Sequence, residues 1–403
     1  MTIETVEGLS FPKRETTLLS FVSAAHFISH VHIMVVPALI PLLPGYFGVS
    51  FLQIGVALTV FNLVSLVVQT PMGFITDRVG AWTMLILALT LGGASFGSLA
   101  LIPSYGWLLA AMVLAGVANG IYHPADYALL SASIGERRLG KAFSIHTFAG
   151  FFGTAVTPAV LLAVANQMST GSACALAGIA SVTVALVILG AAPRRAEPGK
   201  SGVVAKPTSH RLKDVATPQV MLLTLLFVLL SLSSIGISAF AVTALIKGYG
   251  ADLPSASSAL TAFLFAGACG VLAGGFLADR LHHHGVVASI AMVIAAMLTL
   301  AIAITHLSGL PLIFAMAGAG FLAGVITPSR DLLVRAASPR GAEGRVFGIV
   351  STGFNIGGAI GPILFAWLVD HGYYQAVFGV TALFMVLTAA LTFLPVFEKR
   401  QAA

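Results

Sequence analysis

Charge is what this chain has least of. Only 8% of its 403 residues are Asp, Glu, Lys or Arg, against 58% hydrophobic, where a soluble domain averages about 25% charged. A surface so poor in charge cannot hold a globule in water, so most of the chain has lipid as its solvent. Cysteine is nearly absent. Cys174 and Cys269 each lie in an apolar run, which excludes a disulfide framework or a zinc knuckle. The chain also lacks a nucleotide-binding P-loop, a His-Glu-x-x-His pair and paired intramembrane acids. Nothing therefore points to an enzyme, and ion gradients are left as the energy source. No cofactor is expected.

The few charges are arranged. Every Lys and Arg except Lys247 falls in one of seven groups: Lys13 and Arg14; Arg78; Arg137, Arg138 and Lys141; Arg194 to Lys213; Arg280; Arg330 to Arg345; Lys399 and Arg400. These groups alternate with connections almost free of positive charge, the positive-inside pattern. It places both termini and the long middle connection in the cytoplasm. The net charge of +6 is thus a topology signal, and no nucleic-acid partner is implied. The N-terminus does not read as a cleavable signal. Glu4, Glu7 and Glu15 precede an apolar run over 16–43 that is too long for a signal core.

A membrane span needs about 20 apolar residues. Runs of that kind predict twelve transmembrane helices, at 16–43, 50–76, 81–102, 107–134, 141–165 and 171–191, then 218–246, 255–279, 286–306, 310–334, 344–369 and 374–395. The fold class is all-α integral membrane. Residues 1–191 form a first six-helix half, 192–217 a polar cytoplasmic linker, and 218–403 a second half. The halves repeat one another. Gly73-Phe-Ile-Thr-Asp77-Arg78 returns as Gly275-Phe-Leu-Ala-Asp279-Arg280, half a chain later. Gly120 with Pro124 matches Gly324 with Pro328, Gly140 matches Gly344, and Pro158 matches Pro362, all at one offset. Two six-span repeats in the same orientation describe a known transporter plan.

Over nearly its whole length the chain resembles the major facilitator superfamily. The two Asp-Arg stretches match the loop motif of that family between spans 2 and 3 and spans 8 and 9. The stretches HFISHVHIMVVPALIPLL, SFLQIGVALTVFNLVSLVVQTPMGFITDR, IYHPADYALLS and SIHTFAGFFGTAVTP resemble the fosmidomycin-resistance branch of drug exporters. The resemblance implies a multi-pass protein of the bacterial inner membrane, monomeric, that exports small drug-like compounds against protons. It also implies a gating role for Gly73, Asp77 and Arg78, and for Gly275, Asp279 and Arg280. Three features depart from the pattern: Met112 stands where many proton-coupled exporters carry Arg, the span-5 motif is reduced to Gly150, Gly153 and Thr157-Pro158, and His30 stands where the branch prefers an acid.

Polar groups inside hydrocarbon are the informative ones, since a charge at a helix centre costs about 2.5–3.5 kcal/mol on insertion scales. One acid, Asp126, lies clearly within a span. Asn119, His123 and Asp126 share a helix face. His26 and His30 share a face of span 1, and His146 lies in span 5. Asp126 and these histidines are candidates for proton coupling or substrate contact, with Arg330 as a possible gate partner of Asp126. Asn62 and Gln69 of span 2 and Asn355 of span 11 are further candidates, whose alternative role is to join helices. No metal is expected, because no carboxylate or thiolate joins the histidines at ligand spacing in the sequence. The rival to export is proton-coupled uptake of a small organic acid, with His and Arg330 reading the anion.

Overall fold

The computed structural model describes residues 11–191, 217–280, 284–338 and 343–394. Those residues form thirteen α-helices and no strand: α1 Lys13–Leu39, α2 Leu43–Phe47, α3 Phe51–Val79, α4 Ala81–Ser98, α5 Tyr105–Ser133, α6 Glu136–Gln167, α7 Thr170–Ala191, α8 Pro218–Tyr249, α9 Leu253–Arg280, α10 His284–Ile304, α11 Gly309–Ala337, α12 Glu343–Asp370 and α13 Tyr374–Thr392. All but α2 are long and apolar enough to cross a membrane, which gives the twelve expected spans. Their outward side chains are apolar as well. Val67, Ile179, Met297 and Phe314 are all exposed, as a lipid-facing surface requires. The predicted linker lies outside the described residues.

At two helix ends that differ from expectation, the local chemistry explains the difference. The first span stops at Leu39 instead of running to 43. Pro41 has no N–H to continue the ladder, and Pro44 restarts a single turn that ends at Gly48 with φ 68°. The Asp77-Arg78 pair, expected in a turn, is the final turn of α3, and the chain reverses at Gly80 with φ 100°, a backbone conformation that favours glycine.

The chain divides into two compact units. One comprises Met1–Val35, Leu63–Thr157 and Val164–Val204; the other comprises Val36–Asn62, Pro158–Ala163 and Ala205–Ala403. Within the first unit, α4 packs on α5 and α7, around Leu85, Leu89, Ile121, Tyr122 and Leu130. At its polar margin the Arg138 guanidinium donates two hydrogen bonds to the Glu15 carboxylate, at 2.7 and 2.8 Å.

Within the second unit, α9 lies on α11, while α8, α10, α12 and α13 pack around Phe227, Met292, Leu333 and Met385. The α9–α11 contact is backbone against backbone. A Cβ on Gly274 would lie 2.5 Å from the Val325 carbonyl oxygen, and one on Gly324 would strike that of Gly267. Lipid offers no hydrophobic drive between helices, so small residues that allow close approach supply the association. The sequence repeat reappears here in space. Gly120 sits against Val68 of α3 as Gly324 sits against α9. Pro124 and Pro328 lie inside α5 and α11, and Pro158 and Pro362 inside α6 and α12.

The start of α3 is held by its own cap and by a distant residue. Ser50 and Gln53 form a reciprocal capping box, at 2.9 and 3.2 Å. The free N–H groups of Phe51 and Leu52 donate to the Asp370 carboxylate at the end of α12, at 3.0 and 2.7 Å. An anion there satisfies both the orphan donors and the positive end of the helix dipole. Asp370→Ala is expected to cost about 0.5–2 kcal/mol and Asp370→Asn less, read as unfolding temperature of the purified protein in detergent.

Candidate functional site

Three helices of the first unit bring the predicted polar residues together. His26 and His30 come from α1, His123 and Asp126 from α5, and His146 from α6. Two glycines set the approach of α6 to α1. A Cβ on Gly150 would lie 2.6 Å from His26 Nε2 and 2.7 Å from His30 Nε2; one on Gly153 would lie 2.5 Å from the Phe27 carbonyl oxygen. No larger residue fits at either place without moving the imidazoles or the α1 backbone. The reduced glycine motif of the sequence is thus the part that seats the histidines.

Asp126 is fully buried, with His26 and His146 nearly so. Its Oδ2 lies 3.4 Å from His26 Nδ1 and 3.6 Å from His146 Nε2. The His26 and His146 rings stack with centroids 3.9 Å apart, and His123 lies 5.5 Å from His26. His30 is half-buried, and its Nδ1 lies 2.7 Å from the Thr154 hydroxyl. Neither Asp126 oxygen accepts a well-formed hydrogen bond, and neither His146 nitrogen nor His123 Nδ1 has a partner. Buried polar atoms are normally satisfied, so unsatisfied ones concentrated in one place are unusual. One proton shared between the carboxyl and the imidazoles makes the group neutral; without it a bare carboxylate would sit in hydrocarbon at a cost of several kcal/mol. The arrangement is chemically suited to holding and releasing one small cation. The expectation of no metal ligation rested on the absence of a carboxylate near the histidines in sequence. The fold supplies one from α5.

The other predicted residues lie elsewhere. Asn119 donates to the Ser65 hydroxyl at 2.7 Å, joining α5 to α3. Asn62 donates to the Leu58 carbonyl of its own helix. Gln69 is exposed, and Asn355 is half-buried on α12. Arg330 has partners of its own: its Nε donates to Asp331, and its guanidinium lies 4.9 and 4.8 Å from the Phe227 and Phe354 ring centres. Gly73 is half-buried while Asp77 and Arg78 are exposed at the end of α3. Gly275 is half-buried, and Asp279 and Arg280 close α9.

Two features were not anticipated. His32, not singled out in the sequence, is buried with its Nδ1 3.4 Å from the Tyr122 hydroxyl. Gly92 leaves room for its ring. The chain also contains a nucleophile-elbow spelling, Gly93-Ala-Ser95-Phe-Gly97. It lies inside α4 and not at a strand–helix turn, and the Ser95 hydroxyl donates to the Ala111 carbonyl at 2.7 Å. It is a helix contact and does no chemistry.

The profile of the Major Facilitator Superfamily matches residues 22–246 and again 224–402. The chain belongs to the major facilitator superfamily. It is a multi-pass membrane transporter for small molecules and not an enzyme. It is 27% identical over 389 residues to the fosmidomycin resistance protein of Escherichia coli (strain K12), covering 94% of this chain and 92% of that one. It is 25% identical over 272 residues to the uncharacterized MFS-type transporter YfnC of Bacillus subtilis (strain 168), 65% of either chain. Its fold matches the crystal structure of a bacterial homolog of the human lysosomal transporter Spinster, with a TM-score of 0.82 and 15% identity, over 97% of this transporter and 99% of that chain.

Gly150→Ala tests the seating of the histidines. It is expected to destabilise the transporter by about 1–3 kcal/mol through overpacking, whereas Gly140→Ala on the same helix, with open space around it, should leave the unfolding temperature in detergent unchanged or slightly raised.

Proposed function

We propose that this transporter exports small drug-like or toxic compounds from bacteria in exchange for protons, by alternating access between residues 1–191 and 218–403. The observation that carries the reading is Asp126, a fully buried carboxyl facing His26 and His146. An acid in this position can take a proton when the site meets one aqueous side and give it up at the other, which is what coupling requires. Relatedness to a fosmidomycin resistance protein along 94% of the chain supports efflux as the direction. His30 and His123, both half-buried beside the cluster, are the route by which a proton or a substrate group reaches it.

Gly73, Asp77, Arg78 and their repeats Gly275, Asp279 and Arg280 act in gating, each Asp-Arg pair at a helix end where it can bind or release a neighbouring helix terminus. Arg330, which lies against two phenylalanines, serves the same kind of role on the second unit. The protein works as a monomer in the bacterial inner membrane, with both termini in the cytoplasm.

Expression in an exporter-deficient bacterial host, challenged with a panel of toxic small molecules that includes fosmidomycin, tests the reading. The wild type is expected to raise resistance, and an equally expressed Asp126→Asn variant to give none. Protection by both proteins would remove Asp126 from the coupling role. Protection by neither would turn the reading from export to uptake.

A further inference from the structure

We propose that His26, Asp126 and His146 form a binding site for a divalent transition metal of the zinc class. The site lies in the membrane interior and draws one ligand from each of α1, α5 and α6. His26 Nδ1, Asp126 Oδ2 and His146 Nε2 all lie within 4.8 Å of one another, and all three side chains are buried. Zinc takes imidazole nitrogen and carboxylate oxygen at about 2.0–2.2 Å, so neighbouring ligand atoms in a tetrahedral shell stand about 3.4 Å apart. The two edges that meet at Asp126, at 3.4 and 3.6 Å, already have that spacing. The imidazoles are stacked, with 22° between their planes. Binding therefore requires their nitrogen edges to turn toward a common point, a side-chain rotation that leaves the helices in place.

The second observation is independent of the distances. Both Asp126 oxygens and both His146 nitrogens are buried without a hydrogen-bond partner. A metal ion would satisfy the carboxylate and one imidazole nitrogen together. Two histidines and a carboxylate are a ligand set for zinc, cobalt or nickel, not for magnesium or calcium, which prefer oxygen. The fourth ligand would be water or His123, whose Nδ1 is likewise unpartnered. This inference goes beyond the export reading. The metal would use the residue assigned above to the proton, so the two occupants exclude one another and the metal acts as an inhibitor.

The test is zinc binding to the purified transporter in detergent, with any affinity tag removed and no transported compound present. A background variant with His282→Ala, His283→Ala and His284→Ala removes the run of three consecutive histidines in the sequence, which could bind metal on its own. The expected result is one zinc per protein in that background. Affinity should fall by at least about tenfold, the scale on which metal-site mutations act, in Asp126→Asn and in His146→Ala. Cobalt(II) in the same background should give the intense visible bands of a four-coordinate centre, a readout that does not depend on how the variants fold. Absence of zinc binding, zinc binding unchanged in Asp126→Asn and His146→Ala, or only the pale spectrum of six-coordinate cobalt would each overturn the proposal. Since no substrate is used, these outcomes leave the export reading untouched, and failure of export leaves these outcomes untouched.

Discussion

An ionisable group inside a bilayer must be compensated, and here that constraint falls on one carboxyl. Asp126 is fully buried and has no well-formed hydrogen bond. Its compensation comes from imidazoles on two other helices, at 3.4 and 3.6 Å. The pairing lies where α1, α5 and α6 meet. It also explains the glycines at 150 and 153, since any side chain there would push the imidazoles or the α1 backbone away. The chemistry and the packing of the first unit are one problem with one solution.

The second unit solves its packing differently. It has no comparable buried acid among its described residues, and the Arg330 guanidinium lies against two aromatic faces and a half-exposed neighbour. Its helices approach through glycine, most closely between α9 and α11. The two units thus share a repeated scaffold of Gly and Pro positions while the polar centre is built on one of them only. The backbone contacts recur in both units, and the buried titratable cluster does not recur among the described residues of the second.

Much of this was legible in the sequence, because hydropathy and the positive-inside pattern are one-dimensional signals. Twelve apolar runs became twelve helices, with ends shifted by a few residues, as at Leu39, Ser98 and Glu136. The shared face of His123 and Asp126 followed from helical spacing. What spacing could not reveal was which faces of different helices meet. Asn119 turned to Ser65, and Arg330 found its partners on its own unit. The carboxylate that completes the histidine cluster lies a hundred residues from His26 along the chain. Gly150 was the available signal: a glycine one helical turn from His146 marks a close approach, though not the helix approached.

The central claim is that Asp126 couples transport to the proton gradient. The direct measurement uses proteoliposomes and compares two processes in wild type and Asp126→Asn: accumulation, driven by an imposed pH gradient, of a compound to which the transporter confers resistance, and exchange of the same compound with no gradient. The account predicts that the variant keeps exchange and loses gradient-driven accumulation. Gradient-driven accumulation at the wild-type level in Asp126→Asn would contradict it.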